Sequence, residues 1–450
     1  MRIDDSHKTA SVLLFMLGLG SLTQIYFLGC VSLSELVIFV IAPILYLKKY
    51  RIFRYMEFSH FINMLIGLII ALMVSSWYNN TAYPFVVKAF ASIYSVLTYF
   101  IVVSYLLKDN FNGLRWLLIG IFVSSVITIV AFNPTAQVSE SGFSYVGETE
   151  TRDILEGQLF WSDKMRQLLQ LVVGGFYYQC PLFISVLSPI IFIAVVVATT
   201  VSGRASSVAF IISGVMMLIG RKKRKSMGTI GRYFFLYIFI GISLLFLIKH
   251  GYVYAARNGH LGFEAKAKYE TQSRKGDDLL TMLMSGRTGF FTAIPAALSR
   301  PLVGYGPYAE DVEGYAGRFI MKYGDEQEIA SYLISEKKAR VVGYMRQIPT
   351  HSYIMGAWVH YGLFGLIFYL WILYLLYQHI KKYAAAIPQW YGYLCMLIPY
   401  YLWHIFFSPF GQRWQFALFM ACIFYARAVG KGLILLPYSM EIQAQKFDAK

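Results

Sequence analysis

The feature that most limits what this chain can fold into is a succession of long apolar runs along almost its whole length. A helix needs about 20 mostly apolar residues to cross a bilayer, since every backbone polar group must be satisfied inside the helix. Runs of this kind fall near 10–29, 32–47, 60–77, 85–107, 116–133, 181–201, 205–220, 233–248, 353–378, 388–407 and 413–428. The pattern predicts an all-α integral membrane protein.

The composition supports the same fold class. Hydrophobic residues make up 57% of the chain and charged residues 14%, whereas a soluble protein carries about 25% charged residues. A net charge of +16 would indicate nucleic-acid binding in a soluble protein. In a membrane protein it indicates cytoplasmic lysines and arginines and an affinity for acidic lipid. We therefore expect membrane lipid as a partner, and no nucleic acid.

The first apolar run has an alternative interpretation as a cleaved signal. It ends at Leu28-Gly29-Cys30, which is similar to the cleavage site of a lipoprotein. The second run begins almost at once, so we predict that the first is retained as a membrane helix. The chain's four cysteines show no CxxC or Cys/His spacing. Neither a disulfide framework nor a zinc site is indicated.

Positive charge predicts the orientation of the helices, because lysine and arginine clusters stay in the cytoplasm. The clusters are Lys48–Arg54, Lys108 with Arg115, Arg221–Lys225, and Lys381 with Lys382. The runs given above cannot place all four clusters in the cytoplasm. One further crossing, over Met165–Gln179, gives a number of crossings that places all four there. An amphipathic re-entrant segment is the alternative for this stretch. We predict about twelve membrane helices, with both termini cytoplasmic.

This topology divides the chain into four parts. Residues 1–248 form membrane helices 1–9, and residues 249–350 form a large, partly helical periplasmic loop between helices 9 and 10. Residues 351–430 form helices 10–12, and residues 431–450 form a cytoplasmic tail. The loop mixes both signs of charge with scattered apolar residues, and this pattern favours short helices lying over the membrane domain.

A candidate catalytic residue lies at the start of the tenth helix, where the sequence reads Pro349-Thr350-His351-Ser352. We expect Thr350 to cap this helix. The positive end of the helix favours a neutral imidazole on His351, which could act as a general base on a hydroxyl. The alternative is that His351 merely occupies an interfacial helix start. Gly362 and Gly365 are expected to let a neighbouring helix approach closely.

Arginines on the same face are candidates for binding pyrophosphate, because a planar guanidinium donates paired hydrogen bonds to phosphate oxygens. Arg204 and Arg287 both follow Ser-Gly, and Arg300 precedes Pro301-Leu-Val-Gly-Tyr-Gly306. Arg413 is a further candidate. Snorkelling at the interface, or a salt bridge with a loop carboxylate, is the alternative for Arg204 and Arg287.

Cofactor chemistry has little support in the sequence. The cluster Glu310-Asp311-Val-Glu313 could hold a divalent ion, but solvated loop charges are the simpler interpretation. No phosphate-binding loop is present. We expect neither a metal nor a nucleotide cofactor.

In this order, these motifs resemble the O-antigen ligase and polymerase superfamily of bacterial envelope proteins. The resemblance rests on His351, Ser352, Gly362 and Gly365, which match the pattern His-[Asn/Ser/Gln]-x9-Gly-x-x-Gly. The Ser-Gly-Arg motifs at Arg204 and Arg287 and the segment Pro301–Gly306 are similar to other landmarks of that family. The likeness covers nearly the whole chain.

The resemblance implies a metal-independent, inverting glycosyltransferase in the bacterial inner membrane, with its active site facing the periplasm. Its donor would be an undecaprenyl-pyrophosphate-linked glycan. His351 would deprotonate or orient the acceptor hydroxyl. Arg204 and Arg287 would hold the pyrophosphate leaving group, with Arg300 and Arg413 as further substrate-binding residues.

The acceptor separates two branches of the family. A polymerase uses another lipid-linked repeat unit, and a ligase uses the lipid A core. The histidine motif favours a ligase, whereas Trp403-His404-Ile-Phe-Phe-Ser408-Pro409-Phe-Gly looks like polymerases. We favour a polymerase, for which a chain-length regulator is a candidate partner. A transporter of lipid-linked glycan is a third alternative, but it would need charged residues deep inside several helices.

Overall fold

The computed structural model describes residues 3–21, 24–26, 30–55, 58–108, 112–131, 166–198, 204–222, 250–251, 254–255, 257–260, 288–323, 329, 333–334, 347–348, 350, 352–384, 386–407 and 413–434. These ranges are predominantly helical, so the all-α prediction is confirmed for them. The helices are α1 (Ile3–Gly20), α2 (Leu33–Tyr55), α3 (Phe58–Tyr78), α4 (Tyr83–Leu107), α5 (Gly113–Ala131), α6 (166–176), α7 (Pro181–Ala198), α8 (Arg204–Lys222), α9 (Thr288–Ser299), α10 (Tyr315–Tyr323), α11 (Tyr353–Gln378), α12 (Tyr391–Phe407) and α13 (Arg413–Gly430).

Within the part of the chain that the structure describes, three helical stretches are long and apolar enough to cross a membrane, namely Phe58–Tyr78, Tyr83–Leu107 and Tyr353–Tyr383, the last of which is divided at Gly362. Exposed aromatic side chains gather where α3 meets α4: Trp77 is 82% exposed and Tyr83 79%. Aromatic residues concentrate at membrane–water boundaries. These features are those of a membrane protein. The predicted span at 233–248 lies outside the described residues.

The first predicted span, 10–29, differs in the structure. Helix α1 ends at Gly20, and the chain then forms a short antiparallel ladder of β1 (Gln24–Tyr26) with β2 (Cys30–Ser32). Tyr26 pairs with Cys30 across this ladder. Both segments are apolar in sequence, so hydropathy alone could not separate the helix from the strands that follow it.

An aromatic cluster holds α3, α4 and α13 together. The ring of Phe61 lies 4.6 Å from that of Phe100 and 5.8 Å from that of Phe424. Nearby, the Tyr425 hydroxyl donates to the Ser104 carbonyl at 2.6 Å. The start of α3 therefore lies beside the ends of α4 and α13.

The end of the bundle at this cluster carries positive charge. Lysines lie near this cluster in sequence, beside the kink of α2 and at the ends of α4, α11 and α13, and we call this end of the bundle the basic end: Lys48, Lys108, Lys381, Lys382 and Lys431. The opposite end, with Trp77, Tyr83 and Phe407, we call the outer end. Clustering of these lysines at one end agrees with the rule used to predict the orientation.

Helix α6 lies inside the bundle. At one extremity, the Arg166 guanidinium donates to the Tyr400 hydroxyl and lies 5.0 Å from the centre of the Tyr400 ring. At the other, the Tyr177 hydroxyl donates to the Met217 carbonyl at 2.9 Å. Side chains at Leu169, Gln170 and Val173 are buried. A crossing over 165–179 remains a prediction, but its described part packs as an interior helix.

Helix α11 reverses direction at Gly362, whose backbone has φ 64° and ψ −153°. A straight helix would separate Tyr353 from Tyr369 by about 24 Å. Instead, their rings stack with centroids 5.8 Å apart, and a β-carbon on Gly365 would collide with the Ala357 carbonyl. The predicted single span 353–378 is therefore two antiparallel limbs joined at a corner.

Candidate functional site

The structure describes the predicted site residues to different extents. Arg300 and Arg413 are described with their side chains. Arg204 is the first residue of α8, and its backbone alone is described. His351 and Arg287 lie outside the described residues, although their neighbours Ser352 and Thr288 begin or precede helices that are described. The site is therefore built from these neighbours.

The segment Pro301–Gly306 closes the corner of α11. Tyr305 N donates to the Val359 carbonyl at 2.7 Å, and Gly306 N donates to the His360 carbonyl at 3.2 Å. On the far side of the corner, Leu363 N donates to the Leu302 carbonyl at 3.1 Å. The segment thus pairs with carbonyls at the end of the first limb of α11 and with an N–H at the start of the second limb. A helix terminus leaves such groups unpaired. Pro301–Gly306 and the corner at Gly362 therefore form one hydrogen-bonded unit.

Glycine is required at both contact points of this unit. Gly304 has φ 75°, and a β-carbon there would lie 2.7 Å from both Gly362 N and the Val359 carbonyl. A β-carbon on Gly362 would collide with the Leu302 carbonyl. Gly362 was expected to admit a neighbouring helix. Its close neighbour is instead a loop, whereas Gly365 does meet a helical limb.

The outer end of α3 binds the same unit. The Ser75 hydroxyl donates to the His360 carbonyl at 2.8 Å, and Asn79 Nδ2 donates to the Gly304 carbonyl at 3.0 Å. The His360 ring contacts the Gly306 carbonyl through Nδ1 at 2.9 Å. Ser75 and Asn79 were not identified from the sequence, because neither lies in a recognisable motif.

Ser352, and not Thr350, caps the start of α11. Its extended backbone and its hydroxyl, which accepts from Met355 N at 3.2 Å, are those of an N-cap residue. The same hydroxyl donates to the Ile405 carbonyl at 2.8 Å, near the end of α12. The expected cap at Thr350 is wrong by two residues. Ser352, which follows His351 in the chain, is therefore held against α12.

The end of α12 also meets the start of α9. The rings of Phe290 and Phe407 lie 6.0 Å apart, and Phe290 is in the first turn of α9. Ser352 and Phe290 are the described neighbours of His351 and Arg287. Both contact the last turns of α12, so Ser352 and the first turn of α9 meet at the outer end of this helix.

Arg413 forms an ion pair that was not predicted from the sequence. Its Nη1 lies 3.7 Å from Glu35 Oε1, and Glu35 is buried. The Glu35 carboxylate also accepts from Ser32 N at 2.7 Å and from the Ser95 hydroxyl. The Glu35 carboxylate therefore holds the Arg413 guanidinium in place. It ties the start of α13 to the start of α2.

Arg300 belongs to a polar cluster above the corner. Its Nη1 donates to Asn79 Oδ1 at 2.5 Å, and its guanidinium carbon lies 4.4 Å from the centre of the Tyr305 ring. Arg300 is exposed. Arg300 therefore holds its loop against α3 through Asn79, while its side chain remains open to solvent, where a phosphate could still bind.

The carboxylates of Asp311 and Glu313, in the acidic cluster 310–313, accept hydrogen bonds from groups of the protein itself. Asp311 accepts from Tyr315 N at 2.7 Å and from Ala316 N at 2.8 Å, and so caps α10. Glu313 accepts from the hydroxyls of Tyr315 and Tyr305. These bonds, led by the one from Tyr315, lower the pKa of Glu313. Among the described residues, no group of three metal-ligating side chains comes together.

Tyr308 lies between the corner and the outer ends of α4 and α13. Its backbone has a positive φ of 56°, an uncommon conformation for a residue other than glycine. Its ring contacts Phe85 at 5.4 Å and lies 4.9 Å from Lys88 Nζ. Burial raises the pKa of Tyr308, and the nearby charge of Arg413 partly opposes this. The hydroxyl is a neutral group at neutral pH.

No protein-family model matches the chain, and comparisons with curated proteins and with solved structures also find no match.

Proposed function

We propose that this chain is a membrane-embedded glycosyltransferase that transfers a glycan from an undecaprenyl-pyrophosphate carrier to a sugar hydroxyl. The favoured reaction is polymerisation of polysaccharide repeat units on the periplasmic side of the inner membrane. The proposal takes its substrate class from the sequence motifs. Its support from the fold is the way the described parts of those motifs assemble at one end of the bundle.

The observation that carries the proposal is the hydrogen-bonded unit formed by Pro301–Gly306 and the corner at Gly362. These motifs are about 60 positions apart in the chain, yet each satisfies the backbone groups that the other leaves unpaired. Ser352 and Phe290 contact the adjacent helix end. The proposal rests on this convergence of motif residues at one end of the bundle.

The expected chemistry follows from the residue types. Pyrophosphate is a good leaving group, so the main requirement is to stabilise the charge that develops on it. Arg204 and Arg287 would supply this, and Arg300 is exposed above the corner as a further phosphate ligand. His351 would accept or orient the proton of the attacking hydroxyl. Arg413 has a lesser role here because Glu35 already binds it.

The test is transfer by the purified protein from a lipid-linked oligosaccharide, with the product resolved by gel electrophoresis and mass spectrometry. His351→Ala should abolish the product, and His351→Gln should restore little, because glutamine cannot accept a proton. His60→Ala is the matched control, since this histidine is exposed near the start of α3. Its activity should equal that of the wild type.

The acceptor identifies the branch. Lengthening of the lipid-linked glycan with donor alone indicates a polymerase, and transfer only when lipid A core is added indicates a ligase. Movement of the donor across vesicles without a new covalent product would indicate a transporter. Near-normal transfer by His351→Ala would contradict the general-base role.

A further inference from the structure

Helix α4 carries a polar stripe along one of its faces. Lys88, Ser92, Ser95 and Tyr99 follow one another at spacings of four, three and four residues, so their side chains lie on the same side of the helix. Ser95 and Tyr99 are buried, whereas Lys88 and Ser92 are partly exposed. Polar and ionisable side chains within an apolar membrane helix are costly and mark binding sites or substrate paths. Each member of the stripe therefore needs a partner or a ligand.

The start of α2 supplies partners for the deeper half of the stripe. The Tyr99 hydroxyl lies 2.8 Å from the hydroxyl oxygen of Ser34. The Ser95 hydroxyl donates to the buried carboxylate of Glu35. These bonds satisfy the two buried members of the stripe and place a carboxylate beside it.

Glu35 in turn holds Arg413 beside the stripe without occupying its whole guanidinium. Arg413 Nη1 lies 3.7 Å from Glu35 Oε1, farther than the ~2.9 Å of an N–H···O hydrogen bond. A guanidinium has five N–H donors. The Arg413 side chain is 36% exposed, whereas that of Glu35 is 8% exposed. The ion pair therefore fixes the position of the cation and leaves donors of Arg413 open to a further ligand.

Tyr308 brings Lys88 and Arg413 to one place. Lys88 Nζ lies 4.9 Å from the centre of the Tyr308 ring, and the Tyr308 hydroxyl is within electrostatic range of Arg413. All three side chains are partly exposed. The positive φ of 56° at Tyr308 is a strained conformation, and strain of this kind is concentrated at ligand sites. Two cations thus lie beside one hydroxyl, on a part of the bundle that a ligand can reach.

A phosphate-type anion matches these groups. Lysine and arginine bind phosphate oxygens through charge-assisted hydrogen bonds. The charges of Lys88, Arg413 and Glu35 sum to +1, so an anion is attracted even when the carboxylate is counted. Lys88 lies in the second turn of a membrane helix, and the Phe85 ring contacts Tyr308 at 5.4 Å. These apolar surroundings favour an anion that is carried by a lipid.

We propose that Lys88 and Arg413, with the hydroxyl of Tyr308, bind the pyrophosphate of a lipid-linked acceptor. This inference rests on the proposed function, in which a polymerase takes two lipid-linked substrates. Arg204 and Arg287 are assigned to the leaving group of the donor, so the acceptor needs phosphate ligands of its own. A ligase has no such requirement, because its acceptor carries no polyprenyl pyrophosphate. The site therefore favours the polymerase branch.

The experiment measures binding of undecaprenyl pyrophosphate to the purified full-length protein by native mass spectrometry. We expect a second molecule to bind to the wild type after the first. Lys88→Gln and Arg413→Gln should each weaken binding of the second molecule about tenfold, equivalent to about 1.4 kcal/mol. Lys108→Gln is the matched control. This lysine also lies over a tyrosine ring of the bundle, 4.6 Å from the centre of Tyr105, but at the opposite end of α4, and its replacement should leave binding unchanged.

Binding of a single molecule to the wild type, or of a second molecule that both variants leave unchanged, would overturn the inference even if the wild type makes polymer. If both variants lose the second molecule but the wild type transfers no glycan, the site stands and the proposed function fails. An arm with inorganic pyrophosphate distinguishes the source of the anion. If it displaces the second molecule at equal concentration, the site takes a soluble anion and the assignment to a lipid-linked acceptor is wrong. If Arg413→Gln does not fold because Glu35 loses its partner, Lys88→Gln decides the outcome.

Discussion

The carbonyl oxygen of Leu302 fills the space that a β-carbon on Gly362 would occupy. It also accepts the hydrogen bond from Leu363 N, the first N–H after the corner of α11. The Leu302 carbonyl therefore accepts the hydrogen bond that a carbonyl of the preceding helical turn would accept in a continuous helix. It can approach this closely only because residue 362 has no side chain.

Replacing Gly362 by alanine should destabilise the protein through two separate effects. The backbone of Gly362, with φ 64° and ψ −153°, lies in a region that is essentially restricted to glycine and costs another residue about 1–3 kcal/mol. The collision with the Leu302 carbonyl adds to this. We expect a total loss of about 3 kcal/mol or more, measured as a fall in the unfolding midpoint in detergent.

Gly432→Ala is the matched control for this change. Gly432 has a similar φ of 71°, but no described atom lies within 4 Å of the position that its β-carbon would take. It should lose only the backbone part, about 1–2 kcal/mol. Equal losses in the two variants would show that Leu302 yields and that the corner is not tightly closed.

Ser352→Ala should cost about 1–3 kcal/mol, because it removes the cap of α11 and the bond to the Ile405 carbonyl. The comparison is Ser104→Ala. Ser104 is equally buried, but its hydroxyl has no hydrogen-bond partner among the described residues, so this change should be neutral or slightly stabilising. Thermal unfolding of both variants checks the prediction. A loss no greater than that of Ser104→Ala would mean that the cap does not hold this helix start.

The sequence predicted the positions of most described helices because their apolar runs are long. It could not predict the corner at Gly362, since both limbs are equally apolar and the reversal depends on Leu302, 60 positions earlier. Long-range contacts of this kind leave no local pattern.

Charged groups in the site illustrate the same difficulty. Glu35 stands alone at the start of an apolar run and resembles an interfacial residue. Its partner Arg413 is 378 positions away. Pro301–Gly306 and Gly362 could be assigned to one proposed site from the sequence, because their order in the chain resembles that of the family motifs. That order could not show that they bond to each other.

The hydrogen-bonded loop around Glu313 should become less stable in acid. Hydrogen bonds from Tyr315 and Tyr305 lower the pKa of Glu313 in the folded protein, so the carboxylate stabilises the loop above its unfolded pKa of about 4.3. This contribution is lost as the pH falls through the folded pKa. Limited proteolysis between neutral pH and about pH 3 should show earlier cleavage near α10 as the pH falls. Glu313→Gln should remove this pH dependence, and an unchanged profile in that variant would assign the effect to other carboxylates.

Arg204 and Arg287 are proposed to act on one leaving group, and this makes their effects non-additive. Lysine keeps the charge but loses the planar fork, so Arg→Lys should impair transfer at both positions. The double alanine variant should be little worse than the worse single variant, since groups that act as a unit are lost together. Transfer rates and donor binding of the two single variants and the double variant provide the measurement.

Arg318→Ala is the control, because this exposed arginine lies over the Tyr315 ring, 5.0 Å from its centre, and its replacement should leave the rate unchanged. If the losses multiply while each single variant binds donor normally, the two arginines do not share the pyrophosphate, and at least one of them serves only to hold the outer end of the bundle.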